Sequence, residues 1–163
     1  MKKQEKILFF VAVAGVLIAL FLNKKRKPVS GEKRLFTEED AIEALKKAQI
    51  EFGTEKAKIL EKILRWETAH FKSKQFQFTG SAGMEIGKWK NLPPNAPYIT
   101  LTENKTGLKK KFIVWGSVYN FLKYLSEYID RHEGNWGRWY SINPEKQADY
   151  KAKVNQVKNR IVK

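Results

Sequence analysis

Glu67 is the residue whose type and position most suggest chemistry. Leu60 and Ile63 lie seven and four positions before it, so all three share one face of a helix that also carries Ile59 and Leu64. A carboxylate that continues an apolar stripe is unusual, because removing its charge from water is costly. The expected helix runs to about His70, which puts Glu67 in the last turn, where the negative end of the helix dipole disfavours an anion. Trp66, His70 and Phe71 flank it in sequence. Desolvation and the dipole both raise a carboxyl pKa, as a general acid working near neutral pH requires. The structural alternative is a glutamate at the edge of the stripe, paired with Arg65, Lys74 or another base.

The composition narrows the chemistry. The chain has no cysteine and only His70 and His132 as histidines. Thiolate nucleophiles, disulfides and Cys-based zinc sites are thereby excluded, and a His-rich metal site has too few ligands. No metal or cofactor is expected. The formal charge of +15 over 163 residues points to a polyanionic partner without selecting nucleic acid, anionic lipid or an acidic cell wall. The best nucleic-acid candidate, Lys109 to Lys111 with Phe112 and Trp115, fails to form a basic face. Strand alternation puts Lys109, Lys111 and Ile113 on one side and Lys110, Phe112 and Val114 on the other, so no specific nucleic-acid partner is expected.

Three regions are expected. Residues 1–23 form an anchor, because Ile7 to Leu22 is an unbroken run of uncharged, mostly apolar side chains. As a helix this run spans roughly 24 Å, and lysine stems on both flanks extend its reach in a bilayer. The competing reading is a signal peptide, but no small-residue cleavage site follows the run. Residues 24–33 form a basic linker containing Pro28 and Gly31, and residues 34–163 form the folded domain.

In that domain, Thr37-Glu-Glu-Asp40 opens a first helix with Ala41, Ile42, Leu45, Ala48 and Ile50 at helical spacing. Gly53 ends it and Thr54 is placed to cap the next. A strand over Tyr98 to Thr102, a turn at Asn104 to Gly107 and a second strand over Lys110 to Trp115 form a hairpin. Ser117 caps a third helix with Val118, Phe121, Leu122, Leu125, Tyr128 and Ile129 inward. Asn143-Pro144-Glu145 opens a last helix. The fold class is mainly α, with a helical lobe, a small β-hairpin lobe and a cleft between them.

The segment Glu67-Thr-Ala-His-Phe71 followed by Thr79-Gly-Ser-Ala-Gly-Met-Glu85 resembles the active-site signature of the lysozyme-like superfamily. Lytic transglycosylases carry E-S-x-F and then G-x-x-G-L-M-Q; here Gly80, Gly83 and Met84 match. The departures are one extra residue before Phe71, a missing Leu, and Glu85 in place of Gln. Three further segments are similar to peptidoglycan glucosaminidases of autolysins and phage lysins. These are Ile63-Leu64-Arg-Trp-Glu67, Phe112-Ile-Val-Trp115-Gly-Ser117, and Trp139-Tyr140-Ser-Ile-Asn143-Pro144 with Tyr150 and Lys153 beyond.

The resemblance implies an α+β lysozyme-like fold and cleavage of β-1,4 glycan strands of peptidoglycan. Glu67 would protonate the glycosidic oxygen. Tyr140 would line the cleft, with Met84 on its floor, and Ser81, Ala82 and Gly83 would offer backbone groups to an N-acetyl sugar. Glu85 and Glu103 are the candidates for a second carboxylate. If neither serves, the substrate's own acetamido or hydroxyl group takes that role. Gly134 to Tyr140, which includes Trp139, is either a sugar-contacting loop or an aromatic plug of the helical lobe.

Orientation conflicts with this reading. Lys24, Lys25, Arg26 and Lys27 put the domain in the cytoplasm by the positive-inside rule, whereas a wall-cutting domain faces outward. The conflict eases if the membrane belongs to a phage particle, with capsid or membrane proteins as neighbours. The alternative from another class is a non-catalytic anchored module that binds nucleic acid or a capsid shell through its basic surface. The environment of Glu67 discriminates: unpaired in an open cleft for an enzyme, locked to Arg or Lys for a module.

Overall fold

The computed structural model describes residues 35–88, 92, 96–103 and 106–163. The expected span at 7–22 and the linker at 24–33 lie outside them, as do Trp89 and Asn104. Among the described residues no helix is long and apolar enough to cross a membrane.

Helix α1 (Glu38–Phe52) starts at a reciprocal cap. The Thr37 hydroxyl accepts from the Asp40 amide at 3.4 Å, and the Asp40 carboxylate accepts from the Thr37 amide at 2.9 Å. Ala41, Ala44, Leu45 and Ala48 are buried, but Ile50, expected inward, is 87% exposed. It lies two positions beyond Ala48, about 200° round the helix, so it points away from the core. Gly53, at φ +85°, closes α1 through its amide to the Gln49 carbonyl, and its own carbonyl accepts the first bond of α2 (Thr54–Glu67) from Ala57. Gly53, not Thr54, is therefore the cap. The Thr54 hydroxyl instead accepts from Gln49 Nε2 at 3.3 Å.

Helix α2 stops at Glu67, three residues before the expected end. Ala69, His70 and Phe71 follow with φ of +49°, +57° and +71°. Three consecutive non-glycine residues in the left-handed region are costly, roughly 1–2 kcal/mol each. The turn is held by Thr68, whose hydroxyl donates to the Leu64 carbonyl and accepts from the Phe71 amide, and by burial of the Phe71 ring against Phe76. A short helix α3 (Lys74–Thr79) follows, capped by the Ser73 hydroxyl on the Phe76 amide. Six residues are too few for a periodic signature, and its existence depends on placing Phe76 in the core. At Gly80 an added Cβ would meet the Phe36 ring at 2.9 Å, and φ is +67°. The missing side chain lets the start of the domain lie against the end of α3.

Strands β1 (Tyr98–Thr102) and β2 (Lys109–Ile113) pair antiparallel from Tyr98 opposite Ile113 to Thr102 opposite Lys109. Beyond Ile113 the backbone leaves the hairpin: the Val114 amide bonds the Pro97 carbonyl and that of Trp115 the Thr79 carbonyl. Strand β2 is thus shorter than the expected run to Trp115. Helix α4 (Val118–Arg131) begins at Ser117, whose hydroxyl accepts from the Asn120 amide. It packs against α1 and α2. A 3-10 turn (Trp136–Trp139) leads to α5 (Pro144–Asn155), capped by Asn143 on the Lys146 amide. The architecture among the described residues is mainly helical with one two-stranded sheet.

Glu61 ties the chain's end to α2. It is fully buried and Arg65 is 3% exposed. Its carboxylate accepts from Arg65 Nε at 2.7 Å and from the amides of Arg160 (2.9 Å), Ile161 (3.1 Å) and Val162 (2.9 Å). Asn159 Nδ2 adds a bond at 3.2 Å and also reaches the Lys58 carbonyl. Burial alone would raise the carboxyl pKa, but these donors outweigh it and hold Glu61 below the ordinary 4.5.

Because its pKa is lowered on folding, Glu61 stabilises the protein above about pH 4.5, and that contribution is lost as pH falls through the folded-state value. Glu61→Ala is expected to reduce the unfolding free energy by roughly 3–5 kcal/mol, because Arg65 is left buried without its partner. Denaturant titration between pH 3 and pH 7 checks both statements: the variant's deficit should shrink towards the acid end.

Candidate active site

The end of α2 delivers Glu67 to the flank of α5. One carboxylate oxygen accepts from the Tyr150 hydroxyl at 2.7 Å, and the side chain is half-buried. No ion pair reaches it among the described residues. Of the bases named as possible partners, Arg65 is committed to Glu61, and Lys74 makes no ion pair with Glu67. Burial pushes the Glu67 pKa above 4.5, with the Tyr150 hydrogen bond acting in the opposite sense. Trp66 and His70 stand at the surface, Trp66 at 44% exposure, and the hydrogen bond that reaches Glu67 among the described residues comes from Tyr150 on α5.

Tyr150 is 2% exposed and sits in an aromatic stack. The Tyr140 ring lies flat on it, with centroids 4.9 Å apart and planes 5° off parallel, and Trp136 meets its edge at 6.0 Å. The 3-10 turn can press this closely on α5 because Gly137 has no side chain. A Cβ there would meet the Gln147 Cβ at 2.9 Å and the Gln147 carbonyl at 3.2 Å. Asn135 Nδ2 to Gln147 Oε1, at 2.9 Å, fixes the same contact. Burial first, and then the charge and hydrogen bond of Glu67, raise the Tyr150 pKa, so its hydroxyl stays a donor. Tyr140 is 59% exposed and presents its outer face to solvent.

The other expected site residues divide. Met84 is wholly buried in the core and its carbonyl accepts from the Ile113 amide, so its side chain is packing and does not line an open surface. Ser81 is also fully buried. Its carbonyl accepts from Gln75 Nε2 at 2.9 Å and its amide bonds the Thr79 hydroxyl, so both backbone groups are used internally. Gly83 adopts φ +80° beside the Gln75 side chain. Trp139 is 6% exposed and packs edge-on to Phe121 and Tyr128, the plug of the two readings open to it, whereas the adjacent Tyr140 is outside.

Glu85 and Glu103 meet each other's partner and not Glu67. Lys110 Nζ lies 2.6 Å from Glu103 and 3.9 Å from Glu85, and Lys88 holds Glu85 at 2.7 Å. Thr106 also donates to Glu103. The hydrogen bond from Lys110, then that from Thr106, hold Glu103 below the ordinary carboxylate range. Among the described residues no hydrogen bond or ion pair links either carboxylate to Glu67 or Tyr150. The site therefore offers one desolvated acid, a phenol that orients it and an exposed aromatic face, with two lysine-neutralised carboxylates on the hairpin side.

Tyr150's part is not written in any local pattern. Its position in α5 is legible, but a contact spanning 83 residues is not; the available signal is only that it follows Asn143-Pro144 in the segment resembling the glucosaminidases. No protein-family model, no curated protein and no solved structure matches the chain.

Two measurements test this electrostatic account. Tyr150→Phe removes the one group opposing burial, so the Glu67 titration followed by carboxyl carbon NMR should move to higher pH. Glu67→Gln should raise the melting temperature at pH 7. The raised folded-state pKa means that ionising Glu67 destabilises the fold as pH rises through it, so the gain should vanish below about pH 4.5.

Proposed function

We propose that the protein is a membrane-anchored enzyme that cleaves the β-1,4 glycan strand of peptidoglycan, with Glu67 as its general acid and residues 7–22 as its anchor. The observation that carries this reading is the setting of Glu67: a desolvated carboxyl with no cation partner among the described residues, oriented by Tyr150 beneath the exposed face of Tyr140. A structural glutamate looks like Glu61, with a full set of donors. Glu67 has one among the described residues, and burial raises its pKa, the direction a general acid requires.

In this mechanism Glu67 gives its proton to the glycosidic oxygen as the bond from that oxygen to C1 breaks. Positive charge develops on the sugar ring, over which an aromatic face is favourable. Because Glu85 and Glu103 are neutralised by lysines, the electron pair that captures C1 comes from the substrate's own acetamido oxygen or C6 hydroxyl. The Glu67 carboxylate then accepts a proton from the incoming water or from that hydroxyl, which restores the acid. A glucosaminidase releases reducing ends and a transglycosylase anhydro ends. Residence in a phage-particle membrane reconciles the basic flank with action on a wall. The high positive charge holds the enzyme to an anionic polymer without a motif.

The lysine-held carboxylates on the hairpin side favour one other reading, a non-catalytic anchored module that binds nucleic acid or a capsid shell through its basic surface. Digestion of purified peptidoglycan by the full chain in non-ionic detergent separates the two. Mass spectrometry should find N-acetylglucosamine reducing ends or anhydro-muramyl ends, and Glu67→Gln should lower their rate of release by about 10²–10⁴-fold. Absence of both products on several wall types rejects the enzyme.

A further inference from the structure

The hairpin sorts its charges by face. In the register of β1 on β2, Thr100 lies opposite Lys111 and Thr102 opposite Lys109, and all four are exposed on one face. Leu101 lies opposite Lys110 on the other face, where Lys110 is taken up by Glu103 and Glu85. Lys109 and Lys111 make no ion pair among the described residues. Lys111 lies 5.1 Å from the centre of the Tyr98 ring, a contact that leaves its charge in place. Glu103, at the outer end of the hairpin, is neutralised by Lys110 and held by Thr106. That end therefore carries two uncompensated lysines.

The tip adds an apolar side chain to these cations. Leu108 is 61% exposed and immediately precedes Lys109. Its carbonyl accepts from the Glu103 amide at 2.9 Å and its amide donates to the Thr106 hydroxyl at 3.3 Å, so its backbone is fixed at the end of the hairpin. A single exposed leucine is ordinary on a protein surface. Beside two unpaired lysines it has the chemistry of a membrane interface, where apolar side chains enter the acyl boundary and lysine stems carry charge up to the headgroups.

The tether decides which polyanion lies within reach. The domain starts beside the base of the hairpin: the Phe36 amide bonds the Gln77 carbonyl on α3, and α3 also contacts β1 and accepts the Trp115 amide at its Thr79 carbonyl. Twelve residues, Asn23 to Arg34, separate the proposed anchor from Leu35 and span at most about 40 Å. The five residues of β1 carry the tip roughly 17 Å from that base. The anchor thus keeps the tip close to the bilayer, and an intramolecular contact needs little intrinsic affinity. We propose that the outer end of the hairpin is a second membrane contact, with Leu108 entering the interface of an anionic leaflet and Lys109 and Lys111 lying among its headgroups. The proposal rests on the anchor at residues 7–22 and is independent of glycan cleavage. A nucleic acid fits less well, because the one aromatic ring on this face, Tyr98, is half-buried with Lys111 over it and offers no open platform for a base.

The lack of cysteine lets a single spin label report the contact. The full chain is assembled into lipid nanodiscs, either zwitterionic or with about a third of anionic lipid. The label is carried by Thr102→Cys, beside Lys109, or by Ala152→Cys on the exposed side of α5. In anionic discs the Thr102 position should be about threefold or more less accessible to a water-soluble relaxation reagent than in zwitterionic discs, and the difference should fade at high salt. The Ala152 position should be equally accessible in both. Combining Leu108→Ser, Lys109→Gln and Lys111→Gln should abolish the protection at Thr102, while an unchanged spectrum of the Ala152 label reports that the variant is folded. Equal accessibility of Thr102 in both discs, equal protection of the two labelled positions, or protection that survives the substitutions would overturn the contact. Release of the tip by a short single-stranded oligonucleotide, at a phosphate concentration below that of the anionic lipid, would overturn it in favour of nucleic acid. A chain that does not enter the discs rejects the anchor and the contact together, whereas a chain that enters them with an unprotected tip rejects the contact alone.

Discussion

The structure hangs on a carboxylate taken entirely out of water. Glu61 joins two parts of the chain that are remote in sequence: helix α2, which also carries its partner Arg65 one turn further on, and the amides of residues 160–162. A buried charge is tolerable only when its lone pairs are filled, so the chain's last segment must pass this point in one register. That segment is continuous with α5, and α5 carries Tyr150. Lys62 Nζ to the Asn155 carbonyl, at 3.4 Å, adds a bond between the same two helices. The clamp thereby sets where the Tyr150 hydroxyl meets Glu67, six residues beyond Glu61 on α2.

The two glutamates of α2 show how the number of donors decides the fate of a buried acid. Both lose hydration. Glu61 regains it from a guanidinium, three amides and a side-chain amide, and remains ionised below the ordinary range. Glu67 receives one phenol and its pKa rises. The first arrangement holds its carboxylate with a full set of donors; the second leaves burial as the larger influence on its carboxyl. Carrying both on one helix lets the Glu61 clamp position Glu67, the acid of the proposed reaction.

The surroundings of Glu67 extend this division. The left-handed turn at Ala69 to Phe71 ends α2 directly after the acid, and its conformational cost is carried by Thr68 hydrogen bonds and the buried Phe71 ring. Strained backbone of this kind persists only where the surrounding structure over-determines it. On the other side, Gly137 lets the 3-10 turn settle on α5 and brings Tyr140 flat onto Tyr150. The proposed sugar-contacting face and the acid are thus joined through one ring. On the hairpin side, Lys110 ties Glu85 to Glu103 and makes that region a network of paired charges.

What the sequence determined by itself is what short range can encode. The Thr37 to Asp40 box, the stop at Gly53, the Ser117 and Asn143 caps and the Tyr98 to Thr102 strand are set by groups within about four residues of one another, so their chemistry is visible in the string. Glu67 was legible as an acid at the end of an apolar stripe for the same reason. Tertiary structure alone decided which glutamate of α2 is neutralised, because the amides that satisfy Glu61 arrive from nearly 100 positions away. It also decided that Met84 and Trp139 pack in the core, that Lys110 joins the two hairpin carboxylates, and that Tyr150 is the donor to Glu67. Each of these depends on which surfaces meet, and a helical or strand period specifies a face without naming the face opposite it.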